Sequence, residues 1–414
     1  MKILAFLSVL GCASARVYEQ VAFDSAQVCF WGFVPPDLTC PVLKHHVLSQ
    51  DVLGGNDTAL YRWKGGDQCE DGICLYWNRG FAGGRGIAVL TGADQVQPVK
   101  AAGDILLSLQ ISLADSSNLP YHTAEVTVRE SGIIADKKLA RGDPILGYPP
   151  VLLVHQSFYE ELPLEKQQSL LDLAIDSLPP PTRDMLISEL SHIPTETRGL
   201  STLSKKAFLL DLGGADGRGH HYGSFPEVSR LNHNCRPNAA FYVDPVTLMH
   251  ITTAARTIGP GDEINISYLN PLAPHAERQS RAQEIWGIEC KCSQCSLPTD
   301  EVAESDSRLS EIKWIEGQLS DFDSQEVTVG LISYLLQHHG NERLEAKLAR
   351  AYTLAALNMN SLGYEKRAAK FAQLAIDAAL IENGGGSSDA KMMKELLEGP
   401  KAHSSYRVRV DRDR

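Results

Sequence analysis

Two kinds of hydrophobic periodicity follow each other along the 414-residue chain. Short β-branched and aromatic runs separated by Gly, Pro and Asp turns are typical of strands. They occupy residues 125–128, 133–135, 144–146, 241–243, 250–252 and 263–267. Residues 156–200 and 301–390 instead have apolar residues at helical spacing. The pattern predicts an α+β protein in which a helical insert interrupts a β region and a helical region follows it.

The helical segments have recognisable internal signals. In the insert, one apolar stripe is predicted from Leu164, Leu170, Leu171 and residues 173–175, and prolines 179–181 interrupt it. Small and apolar residues on both sides of Leu362-Gly363 suggest a helix–turn–helix pair of tetratricopeptide (TPR) type, although unrelated antiparallel helices fit equally well. The Gly-rich run 384–388 predicts a flexible break, and residues 391–414 are expected to form a flexible tail.

The N-terminal residues read as a secretory signal. Lys2 precedes the mostly apolar run 3–11, and Ala13-Ser14-Ala15 is a small-residue cleavage site. We therefore expect residues 1–15 to be a signal peptide cleaved after Ala15, with a buried N-terminal strand as the alternative. Neither this run nor any later one reaches the roughly 20 apolar residues of a transmembrane helix, so no membrane span is predicted.

The nine cysteines fall into groups. Cys12 lies in the signal segment. Four cysteines behind a signal suggest two disulfides, with three pairings open, in a Cys-containing N-terminal region of residues 16–121. They are Cys29, Cys40, Cys69 and Cys74. The triplet 56–58, Asn-Asp-Thr, is a glycosylation acceptor in the same region, which fits secretion.

The formal net charge of −12 limits the partners of the protein. A negative field repels phosphates, so direct nucleic-acid binding is not expected, whereas a basic peptide would be attracted.

Three later segments combine residue types that carry chemistry. Residues 230–238 read Arg-Leu-Asn-His-Asn-Cys-Arg-Pro-Asn, residues 261–268 read Gly-Asp-Glu-Ile-Asn-Ile-Ser-Tyr, and residues 286–295 read Trp-Gly-Ile-Glu-Cys-Lys-Cys-Ser-Gln-Cys. The last has three cysteines, one fewer than a closed tetrahedral zinc site needs. Taken singly, the segments fit a polar loop, a packed tyrosine, and either a structural metal site or disulfides.

Together with Gly132 and the Arg141-Gly142-Asp143 turn, these segments resemble the SET-domain protein-lysine methyltransferases over residues 122–300. The nearest subgroup looks like fungal-type SET proteins related to the SET-and-MYND subfamily, but without a MYND finger, because the insert has no cysteine. The resemblance implies a SET β-fold in residues 122–270 and a zinc-binding post-SET segment in residues 271–300. A TPR-like domain would follow in residues 301–390.

The resemblance also implies roles for individual residues. Tyr268 would be catalytic, while Asp262 and Glu263 would serve the turn before its strand. Cys235 would join the three post-SET cysteines, Cys290, Cys292 and Cys295, around zinc. The cofactor S-adenosylmethionine would be bound by Arg129, Ser131, Gly132, Asn232, His233, Tyr268 and Ile288.

The predicted function is S-adenosylmethionine-dependent methylation of a lysine in a protein substrate that the sequence does not identify, by a monomeric enzyme. Lys206 stands where the family usually has Asn, and a second cation near the sulfonium of the cofactor is unfavourable. The alternative is therefore a degenerate SET protein acting as an interaction scaffold. The signal favours the secretory pathway, whereas the cofactor and reduced thiols favour the nucleus or cytoplasm as the alternative location.

Overall fold

The computed structural model describes residues 62–113, 122–129, 132–190, 206–213 and 219–410. Several sequence predictions therefore lie outside the described residues, namely the signal segment 1–15, Cys29, Cys40, the triplet 56–58 and Ser131. Within the described ranges, no helix is both long enough and apolar enough to cross a membrane.

Fourteen strands in the described residues form three sheets. The strands are β1 Lys64–Glu70, β2 Ile73–Asn78, β3 Ile87–Gly92, β4 His122–Thr123, β5 Val126–Arg129, β6 Gly132–Ala135, β7 Pro144–Tyr148, β8 Leu152–His155, β9 Phe208–Asp211, β10 His220–Ser224, β11 Asn232–His233, β12 Ala239–Val243, β13 His250–Ala254 and β14 Glu263–Ile266. The sheet orders are β1-β2-β3-β8-β10-β9, β11-β14-β6-β5 and β12-β13-β7-β4.

The first sheet includes strands from the predicted N-terminal region. β3 pairs in parallel with β8, with Val89 opposite Leu153, and both of these residues are fully buried. Residues 64–92 thus share a hydrophobic core with the β region of residues 122–270, whereas the sequence placed them in a region that ended at residue 121. Cys69 and Cys74 face each other on β1 and β2 and form a disulfide.

Besides the four-residue helical turn Phe81–Gly84, the described residues contain α1, which follows β3, three insert helices, one helix after the last strand and five C-terminal helices. They are α1 Val96–Leu113, α2 Gln156–Glu161, α3 Leu164–Ser177, α4 Pro180–Leu190, α5 His275–Trp286, α6 Thr299–Ser320, α7 Val329–Asn341, α8 Ala349–Ser361, α9 Glu365–Glu382 and α10 Ser388–Glu398.

The insert helices cover one face of the first sheet. Leu170, Leu171 and Ala174 of α3 are buried against this sheet, in one cluster with Leu90 and Leu152. Full burial of one such leucine contributes about 2 kcal/mol. The predicted stripe is only partly correct, because two of its members point to solvent: Leu164 is 62% exposed and Leu173 is 39% exposed. Leu164 is the first residue of α3, and Leu173 lies about half a turn around the helix from it, so the two flank the buried face on different sides.

The C-terminal helices form their own hydrophobic core. Small residues of α8 and α9, such as Ala351, Ala368 and Ala372, let the two helices pack closely. Gly363 between them has φ of 81°, a conformation that favours glycine and allows the tight reversal. The predicted helix–turn–helix pair is therefore present. The fold as a whole is mixed α+β with a helical C-terminal region.

Residues 391–410 are ordered, although they lie in the predicted flexible tail. Residues 388–398 form α10, and turns continue to residue 410. Arg409 explains the order, because its guanidinium donates to the carbonyl oxygens of Asp321, Phe322 and Ser324. Arg409 lies in a basic segment that suggested disorder, but its guanidinium forms hydrogen bonds to the backbone carbonyl groups after the end of α6.

Candidate functional site

The loop from Asn232 to Asn238 is fastened to β14. Its first residues form β11, which pairs in parallel with β14, and the Asn234 amide donates to the Ile266 carbonyl at 2.9 Å. At the other end of the loop, Asn238 and Asn265 exchange amide hydrogen bonds of 3.1 and 2.9 Å. These contacts fix the loop at the end of β14, where the chain continues to Tyr268.

Tyr268 lies against this loop. Its hydroxyl donates a hydrogen bond to the Leu231 carbonyl, and its amide donates to His233 Nδ1 at 3.0 Å. The Trp286 ring lies 5.4 Å from the tyrosine ring. Burial, with a smaller effect of the Glu263 charge, raises the pKa of Tyr268 to about 12. The hydroxyl therefore stays a neutral phenol at physiological pH.

His233 connects the tyrosine to the cysteines. Because Nδ1 accepts the hydrogen bond from the Tyr268 amide, a neutral His233 carries its hydrogen on Nε2. That Nε2 is 3.3 Å from the Cys235 sulfur, so it can donate to a thiolate there. The orientation of one imidazole thus links the phenol segment with the sulfur cluster.

Four sulfurs converge beside this loop. The Sγ atoms of the four predicted metal ligands all lie within 4.8 Å of one another, and those of Cys235 and Cys295 are 3.6 Å apart. A tetrahedral zinc with Zn–S bonds of about 2.3 Å requires sulfurs about 3.8 Å apart. Cys235 is fully buried and Cys290 is nearly so. The donor set and its spacing fit a structural metal of the zinc type.

The local fold explains how the post-SET cysteines reach Cys235. α5 ends at Gly287, whose φ of 69° reverses the chain. Gln279 of α5 then holds Cys290 on both sides, because its Nε2 donates to the Cys290 carbonyl and its Oε1 accepts from the Cys290 amide, each at 2.9 Å. The Cys295 amide donates to the Cys292 carbonyl, which closes the turn between those two ligands.

The crowding of the thiols also changes their acidity. Hydrogen bonding from the Cys235 thiol lowers the pKa of Cys290 below its ordinary range and lowers the pKa of Cys292 to about 5. Thiolates are the metal-binding form of cysteine. The same contacts raise the pKa values of Cys235 and Cys295 above their ordinary range, so metal binding has to displace protons from part of the cluster.

A narrow turn lies on the opposite side of the Asn-His loop. Gly132 has φ of 139°, and a Cβ at this position would lie 2.6 Å from Glu263 Oε1 and 2.8 Å from Asn232 Nδ2. The Asn232 amide donates to Glu263 at 2.6 Å. Arg129 faces Gly132 across the β5–β6 hairpin. Glu263 therefore does more than the turn role expected for it, whereas Asp262 does serve the turn, because it accepts from the Gly259 amide at 2.8 Å.

The remaining residues considered for cofactor binding lie at different places around the site. Ile288 follows the αL residue Gly287 and is 43% exposed. Trp286 lies beside Tyr268, as His233 does, and it was not among the residues predicted from the sequence to bind the cofactor. Lys206 lies just before β9, and its charge acts on the carboxyl group of Glu189, whose pKa is raised by burial.

A cavity of about 430 Å³ opens between the β region and the helical region, and it is lined by Ser267 and Leu269, the chain neighbours of Tyr268, but not by Tyr268 itself. It is lined on the β side by Pro237, Ala239, Ala240, Phe241, Ser267, Leu269, Asn270 and Pro271, and on the helical side by Leu344, Ala346, Lys347, Glu382 and Asn383. Its volume lies in the range of ligand sites, about 300–1,000 Å³.

Two buried charged residues were also missed. Arg236, inside the Asn-His loop, forms an ion pair with Glu342, which follows α7. Burial alone would raise the pKa of Glu342, but hydrogen bonds from Arg236, Ser305 and Arg308 hold it below its ordinary value. Their sequence separation of 106 residues left no local signal for this pair.

Comparison with known proteins agrees with this geometry. A SET domain model matches residues 130–269. Histone-lysine N-methyltransferase set5 of Schizosaccharomyces pombe is 25% identical over 186 residues, which cover 44% of this chain and 58% of that protein. N-lysine methyltransferase SMYD2-B of Danio rerio is 31% identical over 100 residues, or 23% of this chain and 22% of that protein.

A second fungal relative extends the comparison. Histone-lysine N-methyltransferase SET5 of Scheffersomyces stipitis is 35% identical over 103 residues, or 25% of this chain and 21% of that protein. The matched segments span less than two thirds of each of these three relatives. Residues 130–269 form a SET domain, and the chain is a homologue of SET5-type and SMYD-type lysine methyltransferases.

Proposed function

We propose that this chain is an S-adenosylmethionine-dependent protein-lysine N-methyltransferase. The observation that carries the proposal is the placement of Tyr268, whose hydroxyl and amide both bind the loop that leads into Cys235. One short segment thereby joins a candidate catalytic phenol, a polar turn and a metal cluster. Homologues named lysine methyltransferases support the general activity.

Residue 132 of the polar turn has to be glycine, because the side chains of Asn232 and Glu263 already occupy the space that a Cβ would fill. The backbone of the turn and these two polar side chains are thereby brought together as one surface for a cofactor. S-adenosylmethionine would supply an electrophilic methyl group on a positively charged sulfur. The residues that we propose to hold it are Arg129, Ser131, Gly132, Asn232, His233, Tyr268 and Ile288.

Tyr268 is proposed to orient the reacting methyl group. Its hydroxyl hydrogen is used by the Leu231 carbonyl, so the lone pairs of the phenol oxygen remain for a partially positive methyl group. Because the pKa of Tyr268 is raised to about 12, no proton leaves the phenol during the reaction at neutral pH. Catalysis by this residue rests on positioning and electrostatics rather than acid–base transfer.

The four-cysteine cluster is proposed to bind one zinc ion as a structural site. Zinc would fix Cys235, and with it the Asn-His loop, against the post-SET segment. Such a site is closed to substrate and does no chemistry itself. Activity would still depend on it, because metal binding orders the segments that form the site.

A lysine-containing protein is the proposed substrate, and its proposed entry is the cavity lined by Ser267 and Leu269, which flank Tyr268 in the chain. The lining is largely apolar near Pro237, Phe241 and Leu269, which favours the uncharged form of an incoming amine. The net charge of −12 favours approach of a basic segment. We propose that the enzyme acts as a monomer.

The helical region is proposed to be TPR-like. The proposal rests on the α8–α9 pair with its tight turn at Gly363 and its interface of small side chains. Such helix pairs often bind extended peptides on one face, so this region would help to retain the substrate protein.

The secretory pathway is the proposed location. The Cys69–Cys74 disulfide supports an oxidising compartment for the N-terminal hairpin. Sequencing of the N-terminus of the protein from its native host tests the proposal. A chain that retains Met1 and stays in the cytoplasm or nucleus would contradict it.

Calorimetric titration with S-adenosylmethionine, followed by methylation of lysine-peptide arrays, tests the function directly. We expect micromolar cofactor binding and a mass increase of about 14 Da per methyl group on lysine. Folded, metal-loaded protein that does not bind the cofactor would overturn the enzyme proposal and favour the interaction scaffold.

A further inference from the structure

Glu342 is a helical-region residue that reaches into the SET core. It follows α7, is 2% exposed, and accepts hydrogen bonds from three side chains. The Arg236 guanidinium donates to Oε2, the Ser305 hydroxyl donates to Oε2 at 2.7 Å, and Arg308 Nε donates to Oε1 at 2.7 Å. Both carboxylate oxygens are therefore satisfied without water, and their geometry is fixed.

Arg236 passes this contact to the candidate site. It is 3% exposed, and the same Nη1 donates to the Cys235 carbonyl at 2.9 Å and to the Pro271 carbonyl at 3.0 Å. Its Nε has no partner among the described residues, so the two terminal nitrogens hold the guanidinium. Cys235 is a predicted metal ligand, and Pro271 lies three residues after Tyr268. One guanidinium therefore fastens both chain segments that flank the phenol.

The charges favour this arrangement. Four thiolates around Zn²⁺ would carry a net charge of about −2. Arg236 adjoins Cys235, and a buried cation at that place offsets part of such a charge. Glu342 in turn keeps Arg236 in place, because a buried arginine without a carboxylate partner is strongly unfavourable.

We infer that Glu342 is a positioning residue, which acts through Arg236 to hold the metal-ligand loop and the Tyr268 segment in their working geometry. The inference rests on the proposed function. It makes the helical region part of the site rather than an appended module. Movement of the end of α7 would then change metal retention and cofactor affinity together.

The main test compares Glu342→Gln with the matched control Glu304→Gln. Glu304 pairs with the same Arg308, but it is exposed and does not contact Arg236. For Glu342→Gln we expect zinc release to a chelator to become at least about tenfold faster and the Kd for S-adenosylmethionine to rise about tenfold. The turnover number at saturating cofactor should change less than the Kd, and Glu304→Gln should match the wild type.

A purely structural role predicts another pattern. Glu342→Gln would then melt at a lower temperature but, when assayed well below that temperature, would release zinc and bind cofactor like the wild type. That result would overturn the inference. The zinc-release assay needs no cofactor or substrate. If the wild-type chain fails to bind S-adenosylmethionine, the proposed function is refuted. The zinc-release assay still tests whether Glu342 is coupled to the metal site.

Two further measurements test the inference if Glu342→Gln does not fold. Replacing both partners, Arg236→Met with Glu342→Leu, removes the charges together, which buried pairs often tolerate. We expect this protein to fold but to lose zinc quickly, whereas full zinc retention would overturn the inference. In the wild type, hydrogen exchange of the amides of residues 234–236, 238 and 342–344 should report one shared opening event, and independent opening would contradict the coupling.

Discussion

The two sides of the candidate site are built differently. One side, the sulfur wall, consists of Cys235, Cys290, Cys292 and Cys295, and Cys235 is fully buried. The other side, the polar wall, consists of Gly132, Asn232 and Glu263, and its two polar side chains are exposed. Both walls meet in the loop that begins at Asn232.

The contrast shows how one loop can serve stability and ligand exchange at once. A metal–thiolate cluster is held by strong bonds and excludes water, so a metal bound to the four sulfurs would fix one end of the loop. An exposed hydrogen bond such as Asn232–Glu263 contributes only about 1 kcal/mol, so the other end can exchange it for a ligand. Changes in the sulfur wall should therefore affect the whole site, and changes in the polar wall should affect ligand binding alone.

The largest effect is expected from Cys235→Ser. Loss of one thiolate should lower zinc affinity by at least about 100-fold and abolish methyl transfer, because both walls depend on this loop. Zinc content by elemental analysis and methylation rates measure the two effects. Ser293→Ala, an exposed neighbour of the other ligands, is the control and should behave as the wild type. Purified protein without zinc, whose four cysteines are disulfide-linked, would disprove the metal site.

Tyr268→Phe should come next and leave both walls intact. Without the hydroxyl we expect methyl transfer to fall by about 100-fold, while cofactor affinity stays within about threefold. Single-turnover rates and calorimetry separate these quantities. Tyr334 is another partly exposed tyrosine and lies in α7, away from this loop, so Tyr334→Phe serves as the control. Near wild-type turnover in Tyr268→Phe would exclude a catalytic role for this hydroxyl.

Gly132→Ala should damage the polar wall alone. The new Cβ would meet Asn232 and Glu263 at less than 3 Å, so we expect cofactor affinity to fall about tenfold and zinc content to stay unchanged. Gly261→Ala is a matched control, because Gly261 also has a positive φ, of 85°, but has no atom within 4 Å of the added Cβ. If both variants lose affinity equally, backbone strain and not the close approach to Asn232 is responsible.

The smallest effect concerns pH. Because the folded-state pKa of Tyr268 is raised to about 12 from an ordinary value of 10.0, methyl transfer should show no loss from phenol ionisation up to about pH 11. Above pH 10 the unfolded chain loses this proton first, so the contribution of Tyr268 to stability should decline between pH 10 and 12. Ultraviolet titration of the wild type against Tyr268→Phe measures the phenol directly. A tyrosine that titrates near pH 10 in the wild type, and is missing in Tyr268→Phe, would contradict this expectation.

Local patterns in the sequence determined much of the architecture. Period-2 runs and turn residues indicated the strands around Gly132 and Tyr268, and helical spacing indicated α8 and α9. The spacing of the post-SET cysteines indicated a metal cluster that lacked one ligand, and the family resemblance supplied Cys235 as that ligand. The four sulfurs do converge. These signals are readable because each depends on residues close together in the chain.

Other features depended on packing between distant segments. Gln279 holds Cys290, Glu342 holds Arg236, and Arg409 orders a tail that its charge made appear flexible. Leu173 is as apolar as Leu170 and Leu171, but only the position of the sheet decided that it faces solvent while they are buried. Periodicity determines local conformation, whereas a buried polar group is stable only where the tertiary fold supplies its partner. Those partners lie too far apart in the chain to leave a sequence pattern.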